Sequence, residues 1–452
     1  MINQRHSIQK ASLRLKFPSE KSARKWQDEY LRTFRDQALP ALEEVLDDFV
    51  KDGQTIRLEH FHIDLGKLPP GLSGLALTEK LKASLARQLA ELIHGGGFTG
   101  NGVEILSAEA SKMKALESFL LTGQLPTAAA FYFKEAVGKL WIEAPKKFLN
   151  TVRRAFQKGG AAVLRRMAYQ LEPSLLAEML DSLLPATVAA ELRNLWQEVQ
   201  SLKPFFASTL KEPFWIAAMK AGLADSPSPG KLADIFFREL LWQTRLLELD
   251  DTVLFRLLPP GMRQVAHQEE HFRFNSAPDF QSETEYIYGL NAGIILLHPF
   301  LGSYFQEFGL LKPAGNEFSD RKAQMKAVYH LHFLATGQWL CPEPQLSIQK
   351  VLCGLPLHYP ISKQFYITAT ERGESEKLLQ AVLKHWNALG NVSPDGLREG
   401  FLQREGKLQQ QNGGWLLQIE KKTMDVLLEK LPWNISMIKL PWLNELIRVE
   451  WG

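Results

Sequence analysis

The sequence has 452 residues, 45% of them hydrophobic and 23% charged, a globular composition that excludes a disordered or collagen-like chain. Its net charge is +3, from 53 basic and 50 acidic residues, so a globally basic nucleic-acid binder is not expected, although local patches are allowed. Two cysteines exclude a disulfide scaffold and suit a reducing compartment.

The length provides for about two to four domains, and Met1 to His6 show no apolar stretch of the kind a secretory leader needs. Residues 1–94 read as a βαβα unit. Leu13, Leu15 and Phe17 alternate with Arg14 and Lys16, the period of a half-buried strand. Ser19 is positioned to cap a helix that opens with Glu20, and Pro40 predicts a kink or break in it. Ile56 and Leu58 share one strand face. Phe61, Ile63 and Leu65 fall on the opposite parity, which requires a bulge or twist near Glu59-His60. Leu77–Ile93 reads as an amphipathic helix. Gly95–Gly102 then reads as a linker.

Residues 103–280 show helical segments and little strand pattern. The segments are Ala108–Leu121, Pro145–Gln157, Ser174–Leu184, Ala186–Val199 and Lys231–Leu249, separated by Gly159-Gly160, Pro173, Pro185, Pro204 and Ser226–Gly230. Residues 281–452 mix helix and strand. Thr284–Phe308, Asp320–Thr336 and Lys377–Leu389 read as helices. Pro394–Gln403 reads as a helix capped by Ser393, and Thr423–Leu431 as a short one. Leu408–Gln411 and Trp415–Glu420 flank Asn412-Gly413-Gly414 as a β-hairpin, and Ile447–Trp451 closes the chain as a strand. Phe119-Leu120-Leu121-Thr122-Gly123-Gln124 is echoed by Phe333-Leu334-Ala335-Thr336-Gly337-Gln338. Both read as helix ends running into a glycine cap, either a duplicated unit or a coincidence of helix-ending chemistry. The fold class is therefore α+β and predominantly helical.

Catalytic, cofactor-binding and metal-ligating residues are not identified. Gly95–Gly100 matches GxGxxG but follows a helix rather than a strand, which favours a linker over a nucleotide site. His60, His62 and Asp64 alternate with apolar residues and read as an exposed strand face. His330, His332, Cys341, Cys353 and His358 lack the close pairs of a zinc site. Tyr286–Phe305 carries no charged residue, yet its glycines, Asn291 and Pro299 suit a buried helix better than a membrane span. The cations Lys146, Lys147, Arg153, Arg154, Lys158, Arg165 and Arg166 form a basic amphipathic face, which reads as solvated or as a surface for anionic membrane, nucleic acid or an acidic protein, the last preferred. Trp386, Trp415, Trp433, Trp442 and Trp451 crowd the C-terminal end, as a terminal core or as an assembly interface. Trp433, Trp442, Trp451, Lys147, Arg154 and Lys158 are the candidate interface residues.

The segments His385-Trp386, Leu397–Arg404, Gly414-Trp415, Leu431-Pro432-Trp433, Lys439–Trp442 and Val449-Glu450-Trp451 together resemble the contractile injection system tape measure protein family. Ala292–Leu301, Leu352–Pro356 and Ile56–Gly66 are similar to the same family. The resemblance implies a non-enzymatic structural or assembly component of a phage-tail-like machine. Its implied partners are tube, sheath or baseplate proteins, with self-association as a further expectation, no nucleic acid and no membrane. The expected location is the cytoplasm during assembly, with a place in the mature particle left open. Two roles fit: a tape measure that sets tube length, or a globular adaptor for baseplate, cap or cargo. A metal-binding or enzymatic protein is the less favoured reading. As one helix, residues 103–280 would span only ~260 Å, and their short amphipathic helices favour packing over extension.

Overall fold

The computed structural model describes residues 13–17, 19–49, 54–58, 61–67, 74–94, 103–125, 133–202, 204–224, 228–245, 286–363, 365, 367–411 and 413–451. Two compact units divide the chain, Met1–Lys114 and Ala115–Gly452.

In the first unit, Ser19 caps α1 (Glu20–Thr33), its Oγ accepting the Ser22 N–H at 3.3 Å. The break expected at Pro40 is a π-turn over Phe34–Ala38, from which α2 (Leu39–Phe49) resumes. The Leu39 N–H reaches back to the Phe34 carbonyl. That wider turn makes room for a ring that would strike the preceding turn of an α-helix. β1 (Gln54–Leu58) pairs antiparallel with β2 (Val103–Ser107), a strand the sequence reading missed. The α-helix α3 (Gly74–His94) sets Leu81, Leu85 and Leu89 against Ala38, Leu42 and Val45. Leu58, Phe61, Ile63 and Leu65 pack on that core. Residues 13–17 and 61–67 alternate in burial as expected, but neither run belongs to a ladder among the described residues. The expected bulge at Glu59-His60 and the linker at 95–102 lie outside the described residues.

The helix α4 (Ala108–Thr122) leads into the helices of the second unit: α5 (Phe133–Glu143), α6 (Pro145–Gln170), α7 (Pro173–Leu183), α8 (Ala186–Ser201), α9 (Pro204–Leu223) and α10 (Pro229–Arg245). The α9 helix is central. Residues 213–219 are all buried, and α6, α7, α8 and α10 pack around it. A helix apolar all round is an interior one. It was missed because Pro204 reads as a breaker, whereas it stands at the helix start, where no N–H partner is lost. The expected break at Gly159-Gly160 is a kink inside α6, with Gly160 at φ 50°.

The C-terminal part is built on a five-stranded sheet in the order β3 (Ile287–Gly289), β4 (Gly406–Gln411), β5 (Gly414–Ile419), β7 (Ile447–Trp451), β6 (Met437–Ile438). The β5–β7 pair is parallel and the others antiparallel. Around it lie α11 (His298–Glu307), α12 (Arg321–Thr336), α13 (Ser347–Leu352), α14 (Ala369–His385) and α15 (Pro394–Leu397). The helix expected over Thr284–Phe308 is instead β3, a left-handed Asn291 (φ 62°), a 3-10 turn over Ala292–Leu297 and α11. Gly293 explains the difference: a Cβ there would lie 1.7 Å from the Phe401 carbonyl oxygen. Close backbone packing therefore replaces a regular helix. Thr423–Lys430 is a 3-10 helix, and the hairpin and the closing strand stand as expected.

Candidate functional site

Three charged side chains meet inside the second unit with essentially no exposure: Arg166 on α6, Glu343 on the 3-10 turn before α13, and Lys350 on α13. Arg166 Nε donates to Glu343 Oε2 at 3.1 Å. Its two Nη groups donate to the carbonyls of Leu120 and His358, each at 2.6 Å. Lys350 Nζ donates to Glu343 Oε1 at 2.6 Å and to the carbonyls of Leu357 and Tyr359 at 3.0 and 2.8 Å. Two cations thus share one carboxylate, and backbone carbonyls replace their water. This is the condition for burying charge without a prohibitive desolvation cost. Burial lowers the Lys350 pKa, and Glu343 opposes that shift.

The joint continues on both sides. The Glu343 N–H donates to Gln170 Oε1, whose amide nitrogen donates to the Ile361 carbonyl at 2.9 Å. Lys363 Nζ donates to the Gln170 carbonyl. Ser362 Oγ donates to Glu212 on α9 at 2.5 Å. Burial pushes the Glu212 carboxyl up to about 7. Helices α6 and α9 are thereby tied by side-chain hydrogen bonds to the segment His358–Lys363 and to the start of α13.

The two Thr-Gly-Gln segments have the same local geometry. Gly123 and Gly337 are left-handed at φ 76° and 70°. Their N–H groups bond to the carbonyls of Phe119 and Phe333 at 2.8 and 2.7 Å. Thr122 and Thr336 donate back four residues, to Ser118 and His332, and accept from Gln124 and Gln338. An arginine from another helix closes each end: Arg166 on the Leu120 carbonyl, and Arg398 on the Leu334 carbonyl at 3.2 Å. A cation there offsets the negative end of the helix dipole. Only the first copy receives a buried carboxylate. A Cβ on Gly123 would lie 2.4 Å from Glu343 Oε1.

The candidate interface residues fall into two groups. Lys147, Arg154 and Lys158 are exposed on α6, and Arg154 and Lys158 share Glu117 at 3.4 and 2.7 Å. The tryptophans are half-buried, and each indole N–H is used within the chain. Trp433 donates to the Leu296 carbonyl and meets Phe300 edge-on. Trp442 donates to the Leu352 carbonyl and packs on Phe305 and Phe318. Trp451 donates to Asp425, which also pairs with Arg404. The family-like segments therefore contact one another. Leu431-Pro432-Trp433 meets Ala292–Leu301, Lys439–Trp442 meets Leu352–Pro356, and Leu397–Arg404 lies against Gly293.

His62 and Asp64 are exposed, and His60 lies outside the described residues. Cys341 and Cys353 are buried free thiols. Among the described residues no three His, Cys, Asp or Glu side chains converge as metal ligands would. No helix among them is long and apolar enough to cross a membrane. Sequence reasoning placed Arg166 in the basic face and did not single out Glu343 or Lys350. The Thr-Gly echo was the available signal, because it marks where Arg166 docks.

The chain matches the family described as contractile injection system tape measure protein over residues 5–451. No curated protein and no solved structure matches it. The chain belongs to the contractile injection system tape measure protein family, a structural component of phage-tail-like machines.

Proposed function

We propose that this member of the tape measure family acts as a folded, non-enzymatic assembly adaptor, with its helical segment docked on its C-terminal region, rather than as an extended ruler. The observation that supports this reading is the Arg166–Glu343–Lys350 joint. An extended rod would have to withdraw Arg166 from a carboxylate and two carbonyls, leaving Glu343 and Lys350 buried beside a vacated site. Removing one partner from a buried ionic group costs about 3–5 kcal/mol. Extending the helical segment into a rod would also expose the apolar faces that α6, α7, α8 and α10 pack around α9.

On this reading the tryptophans hold the terminal core together, and contact with tube, sheath or baseplate proteins is made by the exposed surface, with the α6 cations as its leading part. The chain assembles in the cytoplasm. Hydrogen exchange on the free protein and on assembled particles tests the proposal. Equal protection of residues 163–170 and 213–219 in both states is expected. Loss of protection on assembly would favour the extended ruler.

A further inference from the structure

We propose that the exposed cations of α6 dock an acidic surface on another protein of the particle, an inference that rests on the adaptor reading and names the chemistry of its partner. The α6 helix has 26 residues and contains no Asp or Glu. It cannot neutralise itself as α1 does through Arg24–Glu20, α10 through Arg238–Asp234 and α14 through Lys377–Glu374. Lys146, Lys147, Arg153, Arg154 and Lys158 are all exposed. Lys146 and Arg153 have no ion-pair partner among the described residues, and Arg154 and Lys158 divide the single carboxylate of Glu117. Positive charge is therefore in surplus along ~18 Å of helix. The stripe ends at Gly160, whose φ of 50° re-aims the helix so that Arg166 turns inward.

The opposite face of α6 decides among the anionic partners. Phe148, Val152 and Ala155 are fully buried, so no apolar face remains to enter a bilayer, as an interfacial helix requires. Of the aromatic residues among these cations, Phe148 is fully buried and Phe156 half-buried, so no fully exposed ring is offered for bases to stack on. A short stripe of cations without either feature fits an acidic protein face, where such charges set the rate and salt dependence of association.

The test compares two variants of the full-length chain in a producing strain. The first is Lys146→Gln/Lys147→Gln/Arg153→Gln. The second keeps the charge, as Lys146→Arg/Lys147→Arg/Arg153→Lys. Both leave the ionic joint untouched, and unchanged melting confirms their fold. Chain content is measured relative to sheath protein in purified particles and in sheathless intermediates. The Gln variant is expected to fall roughly tenfold and the charge-keeping variant to stay within about twofold of wild type. Washing with about 0.5 M salt is expected to release the wild type. Equal retention of the Gln variant overturns the proposal, as does absence of the wild type from both preparations. It is also overturned if nuclease removes the wild type, or if wild type but not the Gln variant sediments with phosphatidylcholine–phosphatidylserine vesicles. If tube length follows an inserted helix while the Gln variant still loses retention, the adaptor reading falls and the acidic contact stands.

Discussion

Arg166 and Glu343 stand 177 positions apart and meet in the interior, Nε to Oε2, at 3.1 Å. Neither side chain has measurable exposure. One belongs to a helix of the middle segment and the other to the C-terminal region, so this contact carries the question of whether the two can separate.

Glu343→Ala leaves two cations buried around an empty position and is expected to destabilise the protein by about 3–5 kcal/mol in denaturant unfolding. The triple replacement Arg166→Met/Glu343→Leu/Lys350→Met removes the charges together and is expected to cost less than Glu343→Ala. If Glu343→Ala costs under about 1 kcal/mol, the cluster is solvated in a way its burial excludes.

The paired caps give an internal control. Gly337→Ala meets only backbone strain, about 1–2 kcal/mol for a left-handed position. Gly123→Ala meets the same strain and also the Glu343 carboxylate. It is expected to cost at least ~1 kcal/mol more, the lower end of an overpacking penalty. Similar melting shifts for the two variants would show that the carboxylate can move aside.

The C-terminal segment shows what the sequence could and could not disclose. The hairpin, the closing strand and the Ser393 cap were legible because turn chemistry and period two are local signals. The stretch from 286 to 297 was misread as helix because its apolar run fits a buried strand or helix equally well. What settles it is Gly293 against the Phe401 carbonyl, a contact between distant segments. Beyond the Thr-Gly echo that marks where Arg166 docks, the ionic joint left no local trace, for the same reason. Arg166 sits within a run of cations, and only the kink at Gly160 separates the exposed ones from the buried one.

Two buried histidines and Glu212 set opposing pH dependences. Burial lowers His332 to about 4. The unfolded chain takes up that proton from about pH 6.5 downward, so stability falls between pH 6.5 and 4. His330, donating through Nδ1 to Tyr304 in a chain that passes to Ser375 and the Glu371 carbonyl, is lowered by burial in the same direction. Glu212, raised to about 7, favours the folded state below the ordinary carboxyl range, and that stability is lost as pH rises through 7. Glu212→Gln is expected to remove the decline in melting temperature between pH 5 and 8, and His332→Leu to flatten the acid side. Parallel curves for Glu212→Gln and wild type would mean that the carboxyl titrates normally.

Trp442→Ala separates the two roles of the Trp-rich end. With its indole bonded to the Leu352 carbonyl and packed on Phe305 and Phe318, the loss is expected to cost about 3–5 kcal/mol. A variant as stable as wild type that no longer co-purifies with particles would assign Trp442 to an interface instead.

The most direct measurement is particle length in a strain whose copy of this chain carries a helix-forming insertion of ~60 residues between Ser226 and Gly230, a helix ~90 Å long. A folded adaptor leaves the tube length unchanged, with normal particles or with fewer of them. Tubes longer by about 90 Å, and shorter in proportion when a helical pair is deleted, would contradict it and show that the middle segment measures length in an extended state.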